Sequence, residues 1–330
     1  MGLTAHNILQ SGRQTAFGTP YETATAKLQG VTSFKPVPEL QARIINELRG
    51  SLAPGFTTVL DGYKASASFE TEAETYEDVN YWLDNLFSVD ASPGGAGPYT
   101  RAYAAPLTAA ATPKFMTLQY GQSGGVVQLD DVSVATLTLS GETNGTIQVG
   151  GSLLASKASV GSLAALSDRT GNTAIMGCHA TLYIDAFGAT AGTTEIASSS
   201  FAWELTINAN REYRSYLGEC YPTAWNDNKW SGQLKLSLEY NATTDDYITA
   251  LLAAPNAILE KVVRLKYVTG AGATERIFQF DFAGKSIQAP DMFTDRNGIV
   301  AYDLILDGVY DTKLANWLKI NTTSNVSTLA

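Results

Sequence analysis

The chain has 330 residues, room for about two domains at roughly 100–200 residues each. Hydrophobic residues make up 45% and charged residues 16%, which supplies a sizeable core and excludes a disordered chain. A net charge of −10 with no basic run excludes a surface built to grip nucleic-acid phosphates or an anionic membrane.

The N-terminal stretch MGLTAHNILQSGRQT lacks the basic and long apolar regions of a secretion signal, and His6 stands where a myristoylation signal needs Ser or Thr. Residues 1–30 read as an arm. VTSFKPVPELQARII then reads as a strand, and LRGSLAPGF, with Gly50 and Pro54, as a long loop. Alternation of Ala65, Ala67 and Phe69 with polar residues predicts a half-buried strand. Thr75 as cap, Glu77 and Asp78 in the first turn, and a stripe of Val79, Trp82, Leu83 and Leu86 predict a short helix. This acidic start reads as helix capping rather than a metal site. A loop over residues 88–113 follows, then a strand at Lys114–Gly121 and a strand pair in VSVATLTLSGETNGTIQVGG. The Asn144-Gly145 dipeptide there is a strong turn signal.

The same order then recurs. After an Ala/Gly/Ser/Thr-rich connection from Ala158 to Ser200, which holds the strand AIMGCHATLYIDAF, the chain reads FAWELTINANREYRS. Gly218 and Pro222 follow, each 168 positions after Gly50 and Pro54. Leu234, Leu236 and Leu238 alternate as Ala65, Ala67 and Phe69 do. Ser237 and Glu239 fall 169 positions after Ser68 and Glu70. Thr243 or Thr244 caps a second helix with Asp245 and Asp246 in its first turn and Tyr247, Ile248, Leu251 and Leu252 as its stripe. VVRLKYVTG and IFQFDFAGKSIQAPDMFTDRNGIVAYDLIL complete the echo, with Asn297-Gly298 before the last strand. Repeats of this kind mark two copies of one unit. The domains read as a first module at 31–157, a connection and second module at 158–310, and a C-terminal arm at 311–330 that needs a partner to be ordered.

Catalytic signals are absent. Of the two histidines, His6 sits in an arm and His179 in an alternating strand, as a structural imidazole. No H-E-x-x-H, C-x-x-C, G-x-S-x-G, Walker A or helix-opening G-x-G-x-x-G occurs. Asp130 and Asp131 are strand neighbours facing opposite sides, poor co-ligands. Cys178 and Cys220 are too few for a disulfide framework, which fits a reducing cytosol. No apolar run approaches the ~20 residues of a membrane span. The expectation is a non-enzyme without cofactor or metal.

Three stretches resemble the tail tube (major tail) proteins of long-tailed bacteriophages: GRQTAFGTPYET near the N-terminus, FAWELTINANREYRSYLGECYPTAW through KWSGQLKLSLEY to DDYITALL, and FDFAGKSIQAPDMFTDRNGIVAYDLIL. The likeness is good over Phe201–Tyr310 and weaker over Val31–Gly151. It implies a mainly β fold with short helices: two tandem β-sandwich or half-barrel modules, each flanked by a helix, that complete a large β-barrel only on oligomerisation. Such proteins stack as rings into a tube that carries DNA. Single-unit members form six-fold rings, so a doubled chain implies a homotrimer with pseudo-six-fold symmetry; six chains with one unit decorating the outside is the alternative. Implied partners are further copies of the chain, tape measure protein or DNA in the lumen, and other tail proteins at the tube ends. The implied location is the virion tail, assembled in the host cytoplasm, with no membrane.

The outward polar positions Glu70, Ser237, Glu239, Gln279, Asp281, Asp303 and Asp307 are the candidates for the lumen lining. Lys235, Arg264 and Lys266 share such faces, so the lining is not wholly acidic. Competing readings are the inner tube of a contractile tail or injection machine and a β-rich carbohydrate-binding adhesin. The latter would cluster exposed aromatics, whereas Trp82, Trp203, Trp225, Trp230 and Trp317 are dispersed.

Overall fold

A computed structural model describes residues 7–19, 24–45, 57–88, 97–122, 124–197, 199–242, 244–252, 258–286, 291–296, 298–327 and 329, with the side chains of residues 248, 251, 252, 291 and 292 excepted. Gly50, Pro54, Thr243 and Asn297 of the repeat pattern lie outside these residues, as do most of the 88–113 loop's first ten positions.

The first half contains β1 (Ile8–Arg13), β2 (Ala26–Lys27), β3 (Val31–Ile45), β4 (Thr57–Thr71), α1 (Val79–Leu86), β5 (Tyr99–Ala104), β6 (Met116–Gln122), β7 (Gly125–Glu142), β8 (Gln148–Ala155) and β9 (Lys157–Val160). The second contains β10 (Ala180–Ala186), β11 (Ser200–Asn208), β12 (Arg211–Arg214), β13 (Ala224–Asp227), β14 (Ser231–Glu239), α2 (Asp245–Leu252), β15 (Leu259–Thr269), β16 (Arg276–Ser286), β17 (Asp291–Arg296), β18 (Ile299–Gly308) and β19 (Leu318–Ser324). The described residues are thus mainly β, with two short α-helices.

The pairings repeat as the sequence does. In the first half β3 pairs with β4, β4 with β8, β8 with β7 and β7 with β6, all antiparallel. In the second, β11 pairs with β14, β14 with β18, β18 with β17 and with the end of β16, and β16 with β15. The unbroken strand β7 therefore corresponds to β16 and β17 together. The pair Ala65–Ala155 has its counterpart in Leu234–Leu306.

A ladder between β7 and β11, from Thr136–Asn208 to Glu142–Ala202, welds the halves into one antiparallel inner sheet of order β3-β4-β8-β7-β11-β14-β18-β17. Four strands come from each half. Behind it lie two outer sheets: β2-β1-β6-β7-β9 and β10-β15-β16-β19-β5. Strand β7 serves both layers by bending at Asp131 (φ 53), a conformation that Asp tolerates better than most residues. Its side chain holds the bend by accepting from Gly18 N (2.8 Å) and Ser156 Oγ (2.6 Å).

One continuous core fills the space between the layers. Alternate residues of the inner sheet supply one wall, among them Leu137, Leu139, Leu205, Leu234, Leu236, Leu304 and Leu306, all fully buried. Trp203 of β11 reaches across, donating its indole N–H to the Tyr267 hydroxyl (2.6 Å) and meeting Phe280 at 5.1 Å between centroids. In the first half, Phe69 stacks on Trp82 of α1 at 3.7 Å. Gly151 in β8 is required by that stack, because a Cβ there would come within 2.4 Å of the Thr136 carbonyl and 3.0 Å of the Phe69 ring.

Helix α1 is buried on every side, not on one stripe as expected. Its polar residues are consumed by structure. Asn85 bonds the Lys114 and Val132 carbonyls and the Val134 N–H, pinning the helix to the β7 bend. Asn80 accepts from Thr322, and Asp84 from Tyr103 and Arg13. Thr75 takes the Asp78 N–H at 3.0 Å in the turn ahead of the helix, but Asp78 is the helix N-cap, so Glu77 and Asp78 precede the first helical turn in place of lying in it. Glu77 and Asp78 are bound by Arg276 and Arg169.

The terminal segments differ from free arms. Within residues 1–30, β1 pairs along its length with β6, as β10 pairs with β15. Within 311–330, β19 is inserted between β16 and β5, as β9 lies on β7. Both are integral strands, and the polarity of NTTSNVS conceals this because Thr322, Thr323 and Ser324 are buried through partners in the first half. His179 ends a short 3-10 turn ahead of β10 rather than lying in the strand.

Candidate functional site: the polar face of the inner sheet

The inner-sheet strands turn most of their apolar residues to the core and their alternate residues to the opposite face. One register row of that face runs Ser33, Glu70, Gly150, Thr138, Thr206, Gln233, Asp307; a second runs Gln148, Ser140, Glu204, Lys235, Ile305. A third runs Glu142, Ala202, Ser237, Asp303. These rows hold small hydroxyl residues, glycine, amides and charges, with Ala202 and Ile305 their apolar members and no aromatic.

Charged groups here include Lys35, Lys64, Lys235 and Arg296 against Glu39, Glu70, Glu142, Glu204, Glu239, Asp303 and Asp307, with carboxylates in excess. Three of the four cations already have a carboxylate partner: Lys64 with Glu39 (3.1 Å), Lys235 with Asp303 (2.8 Å) and Arg296 with Asp303 (3.9 Å). Ser237 donates to Asp303 and accepts from Arg296 (3.0 Å), and Gln233 donates to Asp307 (3.0 Å). Burial alone would raise the Asp303 carboxyl; hydrogen bonds from Lys235 and Ser237 outweigh it and hold the group below its usual range. Hydrogen bonds from Ser66 and Lys64 do the same for Glu39. A shallow depression of about 410 Å³ opens here, lined by Ser140, Glu142, Glu204, Lys235, Ser237 and Arg296.

Five of the seven candidates, Glu70, Ser237, Glu239, Asp303 and Asp307, lie on this face. Gln279 and Asp281 do not. They lie on the outer sheet, where Arg264 holds Asp281 through two bonds of 2.6 and 2.8 Å and Lys266 is paired with Gln279. Alternation tells which side of a strand is wet, not which of two stacked sheets the strand belongs to, and β16 lies in the outer one before its end crosses to β18. The reading also passed over Ser66, Ser68, Thr136, Thr138, Ser152, Glu204 and Thr206. Their signal is the alternation of polar and apolar residues in SASFE, TLTLSGE, GGSLLA and WELTIN.

Among the described residues no group of three His, Cys, Asp or Glu is placed to hold a metal ion, and Cys178 and Cys220 are both free and exposed. No helix among them is long and apolar enough to cross a membrane. Among the described residues, the inner sheet ends in β3 on one side and β17 on the other, and each of these pairs with one neighbour, β4 and β18 respectively. Residues 4–304 match the phage tail tube protein family, and the chain belongs to it. No curated protein matches the chain.

Proposed function

We propose that three copies of this chain close into a ring, that the polar inner-sheet face lines the ring's channel, and that stacked rings form the tube through which phage DNA leaves the virion. One observation carries the reading: the inner sheet is the same four-strand unit used twice, joined edge to edge, with both outer edges free. A chain that has already made this joint once internally needs only to make it again between chains, and closure removes the exposed edges altogether.

Three chains of eight inner strands give a 24-stranded barrel. With strands about 4.8 Å apart, its backbone circle is at least roughly 37 Å across before any tilt. Barrels of about 16–18 strands already enclose a water-filled channel. The face suits a passing polyanion. Its cations are largely occupied by carboxylates, and its net charge offers phosphates repulsion in place of counterion-releasing contacts. Ring assembly in the host cytoplasm and contacts with other tail proteins at the tube ends belong to the same reading.

Mass measurement of isolated rings tests it. Rings of three 35.2 kDa chains support the proposal. A single compact particle at every concentration overturns it.

A further inference from the structure

We infer, on the basis of the ring reading above, that the joint between chains repeats the internal β7–β11 joint: the free edge of β3 takes β17 of a second copy, antiparallel, with Glu39 opposite Thr294 and Leu40 packed beside Phe293. The internal joint supplies the mould. Strand β11 is bound to β14 on one edge and β7 on the other. Strand β3 stands to β4 as β11 stands to β14, Pro38–Ala65 corresponding to Leu205–Leu234. Its second edge is free. Strand β17 stands to β18 as β7 stands to β8, Thr294–Ala301 corresponding to Thr138–Gly150. Carrying the internal pair Thr138–Thr206 onto these equivalents sets Thr294 against Glu39.

The core-side neighbours identify the occupant chemically. Leu137 and Ile207 are directly opposed across the internal joint and both fully buried. Their equivalents are Phe293, in the bulge facing Tyr302 as Leu137 faces Gly151, and Leu40. These two are 61% and 66% exposed in the single chain. Val37 and Ile44 are exposed along the β3 edge as well. Phe293 also adopts φ 59, a conformation costly for an aromatic residue, with its ring against Tyr240 at 5.6 Å between centroids. Large apolar side chains held on both free edges, in matching register, are what a second copy would bury. Pro36 and Pro38 remove two backbone donors from β3, so this joint leans on side chains more than the internal one does, and the lone edge is less prone to indiscriminate pairing.

Cross-linking tests the register. In a Cys178→Ser, Cys220→Ser background, Glu39→Cys combined with Thr294→Cys should give covalent dimers and trimers on oxidation of assembled protein. Either single variant should give none, and Val37→Cys with Thr294→Cys, slipped by two residues on the same face, far less. Independently, Leu40→Glu alone and Phe293→Lys alone should each weaken assembly by roughly 10- to 100-fold, and their combination should recover most of it. Rings that form without the Glu39→Cys/Thr294→Cys link, or that link better through the slipped pair, overturn the register and leave the ring reading standing. Failure of the unsubstituted protein to form any ring removes that reading and this joint with it.

Discussion

Arg276, on a strand of the second half, donates to Glu77 beside the buried helix of the first half at 3.0 Å, across 199 residues of chain. The two side chains are 11% and 1% exposed, so neither is solvated if the other is lost. The halves are therefore fastened in their outer layer as well as through the β7–β11 ladder.

Removal of this cation should be costly. Arg276→Ala is expected to lower unfolding free energy by about 3–5 kcal/mol, because it strands a carboxylate in the core. Arg276→Met with Glu77→Gln should cost clearly less than Arg276→Ala alone. Urea unfolding of the monomeric state measures both.

Glu74, wholly buried beside Asp78, gives a pH dependence of definite sign. Burial first, and the neighbouring Asp78 second, push its carboxyl from 4.5 to about 8. Between those values the folded chain binds a proton that the unfolded chain does not. Its stabilising contribution is complete below about pH 4.5 and is lost as pH rises toward 8. Glu74→Gln should remove that slope. The stability difference between variant and parent, measured at pH 5 and pH 8, should shift in the variant's favour at pH 8 by a few kcal/mol.

The C-terminal strand predicts a loss of fold, not only of assembly. Leu318 and Ile320 are fully buried, and β19 bridges β16 to β5. Ile320→Ala should cost about 2–5 kcal/mol, and a chain ending before Leu318 should give no cooperative thermal transition by circular dichroism.

How much of this was legible beforehand follows from what periodicity measures. Ser68 and Ser237, Glu70 and Glu239, and the two Asn-Gly turns revealed the doubled unit because strand alternation and turn chemistry are local. Those signals mark the alternating strands, and five of the seven candidates share the inner-sheet face. Gln279 and Asp281 went astray because the layer a strand joins is decided by long-range pairing, here β16 with β15 and β19. The terminal strands looked like arms for the same reason: the partners that bury Thr322 and Ser324 lie more than 200 positions away. Phe293 and Leu40 were simply apolar residues until the free edges were known.

The channel reading predicts a gain of DNA binding when cations are added to the face. Thr138→Lys with Thr206→Lys, directly paired across the internal joint, should leave the fold intact while making assembled rings retain duplex DNA. That retention should fall steeply between about 50 and 200 mM salt. Asp281→Lys, on the outer sheet, should not have this effect. Filter binding distinguishes the two.

The symmetry of one ring, read from averaged end-on images of assembled tubes, tests the central claim most directly. Three chains per ring, with six similar β-units around the channel, is the predicted result. Six chains per ring, with only one half of each facing the channel, would contradict it.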